Sequence, residues 1–60
     1  MKLYVGPMDA TVVEVSEDGQ VRLEGGELAP PTLQERRAIL YAAKSELEAI
    51  QELIEILEKP

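Results

Sequence analysis

The pattern of apolar and polar positions divides the chain into a short alternating N-terminal half and a long helical C-terminal half. From Thr32 to Lys59 there is no Gly or Pro, and apolar residues recur with a helical period. Thr32 and Glu35 form the pattern Thr-x-x-Glu, in which each side chain satisfies a backbone N–H of the other residue. The sequence therefore predicts one amphipathic helix over 32–59, about 40 Å long at 1.5 Å per residue.

This helix carries an apolar stripe with a heptad repeat. The a positions are Leu33, Leu40, Leu47 and Ile54, and the d positions are Arg36, Ala43, Ile50 and Leu57. Apolar residues at c and g widen the stripe beyond a two-stranded seam. Arg36 interrupts it near the helix start, where it either extends to solvent, sets register in a bundle or binds an acceptor. The stripe predicts an interface formed by Leu33, Ile39, Leu40, Ala43, Leu47, Ile50, Leu53, Ile54, Ile56 and Leu57.

The N-terminal half, residues 1–29, has the alternation of a β-hairpin. Apolar residues alternate over 10–16 and 20–24, with Glu17-Asp18-Gly19 between the two runs. Lys2–Val5 is a candidate third strand before the Gly6-Pro7 turn. The predicted fold class is therefore α+β, one small domain in which a hairpin or three-stranded sheet precedes a long helix that packs in an oligomer or on a partner.

The hairpin loop length follows from register. A two-residue Asp18-Gly19 turn would mix apolar and polar residues on each face. A three-residue loop, with Gly19 left-handed in a bulge, keeps the faces separate. It pairs Val15 with Val21, Val13 with Leu23, and Glu14 with Arg22. Strands of about seven residues would span roughly 23 Å, so the sheet is predicted to cover little more than half of the helix. Beyond its reach we expect Leu47, Ile50, Ile54 and Leu57.

The small size of the chain favours assembly. Sixty residues without a cysteine form one domain at most, and hydrophobic burial in so short a chain barely offsets the conformational entropy. The aromatic residues are Tyr4 and Tyr41, so large core side chains are also missing. We therefore expect the chain to associate with itself as a homo-oligomer or with a larger shell protein.

Charge narrows the range of partners. The chain has 12 Asp and Glu against 6 Lys and Arg, which argues against binding a nucleic-acid backbone. The helix is basic in its first half, at Arg36, Arg37 and Lys44, and acidic in its second half. The acidic side is interpreted as a solvated surface. The alternative is a ridge that meets a basic partner or imitates a nucleic acid.

Candidate chemistry is sparse. There is no His and no Cys, so the most common general base, the thiolate nucleophile and the usual zinc ligands are missing. Glu14, Glu17 and Asp18 resemble a charged turn more than a cation site, and Gly25-Gly26 lacks the Lys of a phosphate loop. We expect no enzyme activity, no cofactor, no metal and no small-molecule substrate. No apolar run has signal-peptide or membrane-span length, which predicts a soluble, cytoplasmic protein unless it is part of a virion.

The opening residues Met1-Lys2-x-Tyr4-x-Gly6-Pro7-x-Asp9-Ala10 lead into Val12-Val13-Glu14-Val15, a turn, Gly25 and Leu28-Ala29-Pro30. This half of the chain resembles small uncharacterised proteins encoded among the head genes of tailed bacteriophages. The resemblance implies a minor capsid, decoration or connector-associated component of a virion. The alternative function is that of a small acidic inhibitor, which would bind a basic host or defence protein in place of nucleic acid.

Overall fold

The computed structural model describes residues 1–59 and confirms the α+β class. Three antiparallel strands, β1 (Leu3–Val5), β2 (Ala10–Val15) and β3 (Val21–Leu23), form a sheet in the order β1-β2-β3. One helix, α1 (Leu33–Glu58), follows the sheet. The strands hold three, six and three residues, so two of them are much shorter than the predicted seven. The sheet is therefore smaller than the sequence suggests.

A single 3-10 turn, Gly6–Met8, joins β1 to β2 and ends at Asp9. Asp9 lies in the left-handed region, at φ 47° and ψ 48°, and its N–H donates to the Gly6 carbonyl at 3.0 Å. The Tyr4 hydroxyl donates to Asp9 Oδ1 at 2.8 Å, and this bond and the carboxylate charge raise the pKa of Tyr4. The bond is therefore retained at neutral pH and is lost as the pH rises through the raised pKa.

The loop between β2 and β3 confirms the predicted three-residue geometry. The Ser16 N–H donates to the Gln20 carbonyl at 2.9 Å, and the Gly19 N–H donates to the Ser16 carbonyl at 3.1 Å. Gly19 has φ 88°, as the predicted bulge requires. The Ser16 hydroxyl donates to the Asp18 carboxylate and accepts from the Gln20 N–H at 3.0 Å, which fixes the loop from within.

Substituting Gly19 tests this loop. A Cβ at Gly19 would meet no atom within 4 Å, so the cost of a side chain comes from the positive φ alone. We expect Gly19→Val to lower the free energy of unfolding by about 1–2 kcal/mol, and Asp18→Ala to have a smaller effect because only an exposed hydrogen bond is lost. Urea unfolding of the two variants makes the comparison. Equal, small effects would show that the loop tolerates a side chain and is built differently in solution.

The register of the hairpin is partly as predicted. Val15 pairs with Val21, and Glu14 pairs with Arg22 in an ion pair of 2.9 Å. The predicted pair of Val13 with Leu23 is wrong, because Val12 lies opposite Leu23 and Val13 forms a β-bulge.

The cause of the bulge is a conflict between two neighbours of β2. Pairing with β1 sets Val12 opposite Leu3, whereas the hairpin loop sets Val15 opposite Val21. Val12 and Val15 are an odd number of residues apart, so regular alternation would send them to opposite faces. One extra residue, Val13, brings both side chains to the same face.

The segment after β3 protects the edge of the sheet. The Gly26 N–H donates to the Leu23 carbonyl at 2.9 Å across a turn, and Gly25 supplies the positive φ of 83°. The chain then returns, and Ala29 and Val21 exchange two backbone hydrogen bonds of 2.9 Å each. This isolated bridge satisfies backbone groups that an open edge would expose.

The helix begins at the predicted capping box. The Glu35 N–H donates to Thr32 Oγ1 at 3.1 Å, and the Thr32 N–H donates to Glu35 Oε1 at 2.8 Å. The helix packs on β1 and on the 3-10 turn. The core is small, since Val5 and Val12 are the buried residues within 1–59. Such a core supports the start of the helix but not its length.

Candidate interface along the helix

The sheet supports one side of the first half of α1. The half-buried helix residues are Glu35, Ala38, Ile39 and Ala42, whose i, i+3, i+4, i+7 spacing places them on one side of the helix. From Ala43 onward every described residue of the helix is exposed. The rest of the chain therefore covers little of the second half of the helix.

The apolar stripe is open to solvent in the single chain. Of the ten residues predicted to form the interface, Ile39 is half-buried by the protein's own fold and the other nine are exposed. The exposed fraction of the large side chains runs from 45% at Ile50 to 73% at Leu57. Their role as an interface stays a prediction, but the structure establishes that this chain does not cover them.

The a and d positions lie beside the sheet rather than beneath it. At 3.6 residues per turn, the a and d positions from Leu40 to Leu57 lie on average about 100° around the helix axis from the half-buried side that faces the sheet. Two grooves lie between these positions and the sheet. The first, of about 490 Å³, runs between the Glu17–Gly19 loop and Leu40. The second, of about 310 Å³, runs between Met1–Leu3 and Ile50.

The second groove changes one expectation. The sequence places Leu47 and Ile50 beyond the reach of the sheet, yet both line this groove together with Met1 and Leu3. The N-terminal strand therefore approaches the middle of the helix. It leaves both side chains about half exposed, so it forms one wall of a groove rather than a cover.

The total surface of the chain agrees with an uncovered stripe. The accessible surface is 4945 Å², whereas a compact protein of 6.6 kDa is expected to expose about 3,900 Å². The radius of gyration is 13.5 Å, against about 10 Å for a compact domain of this length. The excess, on the order of 1,000 Å², is similar to one partner's share of a standard protein–protein interface, about 800 Å².

Charge is separated along the helix and is not neutralised within the chain. Arg36, Arg37 and Lys44 lie in the first half, and the second half carries Glu46, Glu48, Glu52, Glu55 and Glu58. Within residues 1–59 the salt bridge is Glu14–Arg22, so no helix cation lies within 4.0 Å of a described carboxylate. Arg36 lines the first groove together with Glu17 and Asp18, which places a cation and an acidic loop at the same opening.

The described residues offer little for other kinds of site. No group of three or more His, Cys, Asp or Glu side chains in 1–59 is arranged to hold a metal ion. Over the same residues, α1 is not apolar enough along its length to cross a membrane. The chain matches no protein-family model, and no curated protein or solved structure is significantly similar to it.

Proposed function

We propose that this protein is a non-enzymatic assembly module whose apolar stripe is buried against another polypeptide, either a copy of itself or a larger shell protein. The observation that carries the proposal is the uncovered second half of α1, where every described residue from Ala43 onward is exposed. A helix in water is stabilised mainly by burial of its apolar side. Here that burial has to come from outside the chain.

The size of the exposed surface supports the same proposal. Monomeric soluble proteins rarely expose large continuous apolar patches, and those that do generally use them for binding. The stripe is continuous from Leu40 to Leu57, and the excess surface is close to what a specific interface buries from each partner. Since Val5 and Val12 form the whole buried core of residues 1–59, the partner also contributes to the stability of the fold.

The resemblance of the N-terminal half to phage head-gene proteins supports a more specific proposal. In a phage, the protein would be a minor capsid, decoration or connector-associated component of the virion. Quantitative mass spectrometry of purified particles tests this proposal. The protein is expected at a fixed ratio to the major shell protein through successive purification steps, and its loss at the first density gradient would contradict a virion role.

The alternative function, that of an acidic inhibitor, rests on a specific surface. Glu48, Glu52 and Glu55 share one side of the helix, away from the apolar stripe, and all three are exposed. Such a row of carboxylates is able to occupy the nucleic-acid site of a basic protein. An inhibitor of this kind would be absent from particles, and its binding would weaken steeply with salt.

Changing all three glutamates to Gln separates these functions. If the acidic side is only solvated, Glu48→Gln, Glu52→Gln and Glu55→Gln together should leave partner affinity within a few-fold and its salt dependence unchanged. Isothermal titration at two salt concentrations measures both quantities. A loss of a hundredfold or more, about 2.7 kcal/mol, would favour the inhibitor over the assembly module.

A further inference from the structure

We infer that the partner covering the stripe is a second copy of this chain, whose helix lies antiparallel against the a and d positions of the first. This inference rests on the proposed function and specifies its partner. It is carried by the opposite charges of the two halves of α1 and by the two grooves beside those positions.

Charge selects the orientation. In a parallel pair the d position Arg36 would meet Arg36 of the partner subunit, and the acidic second halves would lie side by side. In an antiparallel pair the basic first half of each helix lies along the acidic second half of the other. Flanking charges of this kind determine orientation in helix pairs. Arg37 and Lys44 have no carboxylate within 4.0 Å among the described residues, so they are available for this role.

The apolar pattern selects the register. With Leu47 opposite Ile50 of the partner subunit, six a and d positions of each helix overlap in continuous layers. Ala43 then meets the larger Ile54 of the partner subunit, and Leu40 meets Leu57 of the partner subunit. Arg36 falls outside this overlap, which accounts for a charged residue at a d position.

Neighbouring registers are less favourable. If the overlap of the two helices is moved by one heptad toward their N-terminal ends, Lys44 meets Lys44 of the partner subunit and Glu46 meets Glu46 of the partner subunit. The opposite shift leaves only four apolar layers. In the favoured register, Arg37 flanks Glu58 of the partner subunit, and Glu46 flanks the apolar Leu53 of the partner subunit. This register therefore combines the longest uninterrupted run of apolar layers with opposite charges at its ends.

The grooves lie where the partner helix would pass. The first contains Leu40, which the register places opposite Leu57 of the partner subunit. The second contains Ala43, Leu47 and Ile50, which the register places opposite Ile54, Ile50 and Leu47 of the partner subunit. The two-fold axis sets both sheets on the same side of the helix pair, at opposite ends. Each sheet is then brought beside the second half of the partner helix, which its own sheet leaves uncovered.

Charge exchange tests orientation and register together. We expect Arg37→Glu alone, or Glu58→Arg alone, to raise the dimer Kd about tenfold at low salt, equivalent to ~1.4 kcal/mol, because two symmetry-related pairs become repulsive. An equimolar mixture of the two variants should regain wild-type affinity. In that heterodimer the introduced glutamate faces the introduced arginine, and the native Glu58 of one chain faces the native Arg37 of the other, so both pairs are attractive again. Sedimentation equilibrium of each variant and of the mixture measures this.

Cross-linking gives an independent result, since the chain has no native cysteine. Ala43→Cys and Ile54→Cys chains mixed under mild oxidation should form the 43–54 heterodimer, which mass spectrometry distinguishes from either homodimer. Ser45→Cys, on the polar side of the same helix, is the control and should not cross-link. Homodimers through 43–43 and 54–54 would overturn the antiparallel arrangement.

The outcomes separate this inference from the proposed function. A wild-type chain that stays monomeric up to millimolar concentration, but whose stripe becomes protected in hydrogen exchange when a shell protein is added, would overturn the second-copy inference alone. A chain that is monomeric and remains unprotected with every candidate partner would overturn both. Failure of the mixed charge variants to recover, in a chain that does dimerise, would overturn the register and orientation while the assembly function stood.

Discussion

Replacing Ile50 and Ile54 with Asp is expected to dissociate the assembly. Both side chains are exposed in the single chain, at 45% and 48%, so the substitutions leave no cavity within the fold. In the assembled state each Asp would be buried opposite an apolar side chain. Burying even an uncharged polar group without a partner costs roughly 2–7 kcal/mol. The affinity is therefore expected to fall by at least a hundredfold, at about 1.4 kcal/mol per factor of ten.

The matched control places the same two charges elsewhere on the helix. Gln34→Asp with Ser45→Asp adds two carboxylates on the exposed polar side, and this variant should assemble like the wild type. Light scattering reports the mass of both variants. Far-ultraviolet circular dichroism, together with the chemical shifts of β1 to β3, reports whether the sheet end persists. Equal assembly of the two variants would show that the stripe is not the interface.

The second large effect concerns the core. Val12→Asp is expected to unfold the chain, because Val12 is completely buried between neighbouring strands and burying a charge there is costly. Val13→Asp should fold, since the bulge leaves Val13 half-exposed. These adjacent valines have the same size and the same intrinsic strand propensity. The difference between them isolates the effect of register.

Circular dichroism and one-dimensional NMR show whether each variant is folded. Both variants are measured at a concentration at which the wild-type chain assembles. Loss of dispersed amide signals in Val12→Asp with retention in Val13→Asp is the expected result. The reverse result would indicate the regular hairpin register, in which Val13 rather than Val12 points inward.

Local rules were sufficient for much of this fold. The capping box at Thr32 and Glu35 identifies the helix start because it is a contact between residues three apart in the sequence. The loop at Gly19 is equally local, since alternation on both sides of it allows only one loop length. The bulge at Val13 is different, because it results from competition between β1 and β3 for the same strand. The alternation of residues along one hairpin does not include the pairing that a third strand imposes on β2.

The same distinction applies to the candidate interface. Amphipathic periodicity identified the stripe as apolar, and nine of its ten residues are exposed. Periodicity alone does not separate the side of the helix that the sheet occupies from the side left open. It therefore places Ile39 with Leu40, although the fold of the chain half-buries Ile39 and leaves Leu40 exposed. The bond from Tyr4 to Asp9 also escaped prediction, because it depends on a left-handed Asp that sequence spacing does not reveal.

Light scattering with hydrogen exchange across a concentration series shows whether the stripe is buried between molecules. We expect a mass of twice 6.6 kDa at micromolar concentration, with amides of 43–57 protected in step with the dimer fraction. A partly unfolded monomer whose helix gains protection only with a larger protein would keep the assembly function and change the partner. A fully helical monomer, with protection over 43–57 that does not depend on concentration or on any partner, would show that the stripe is not an interface.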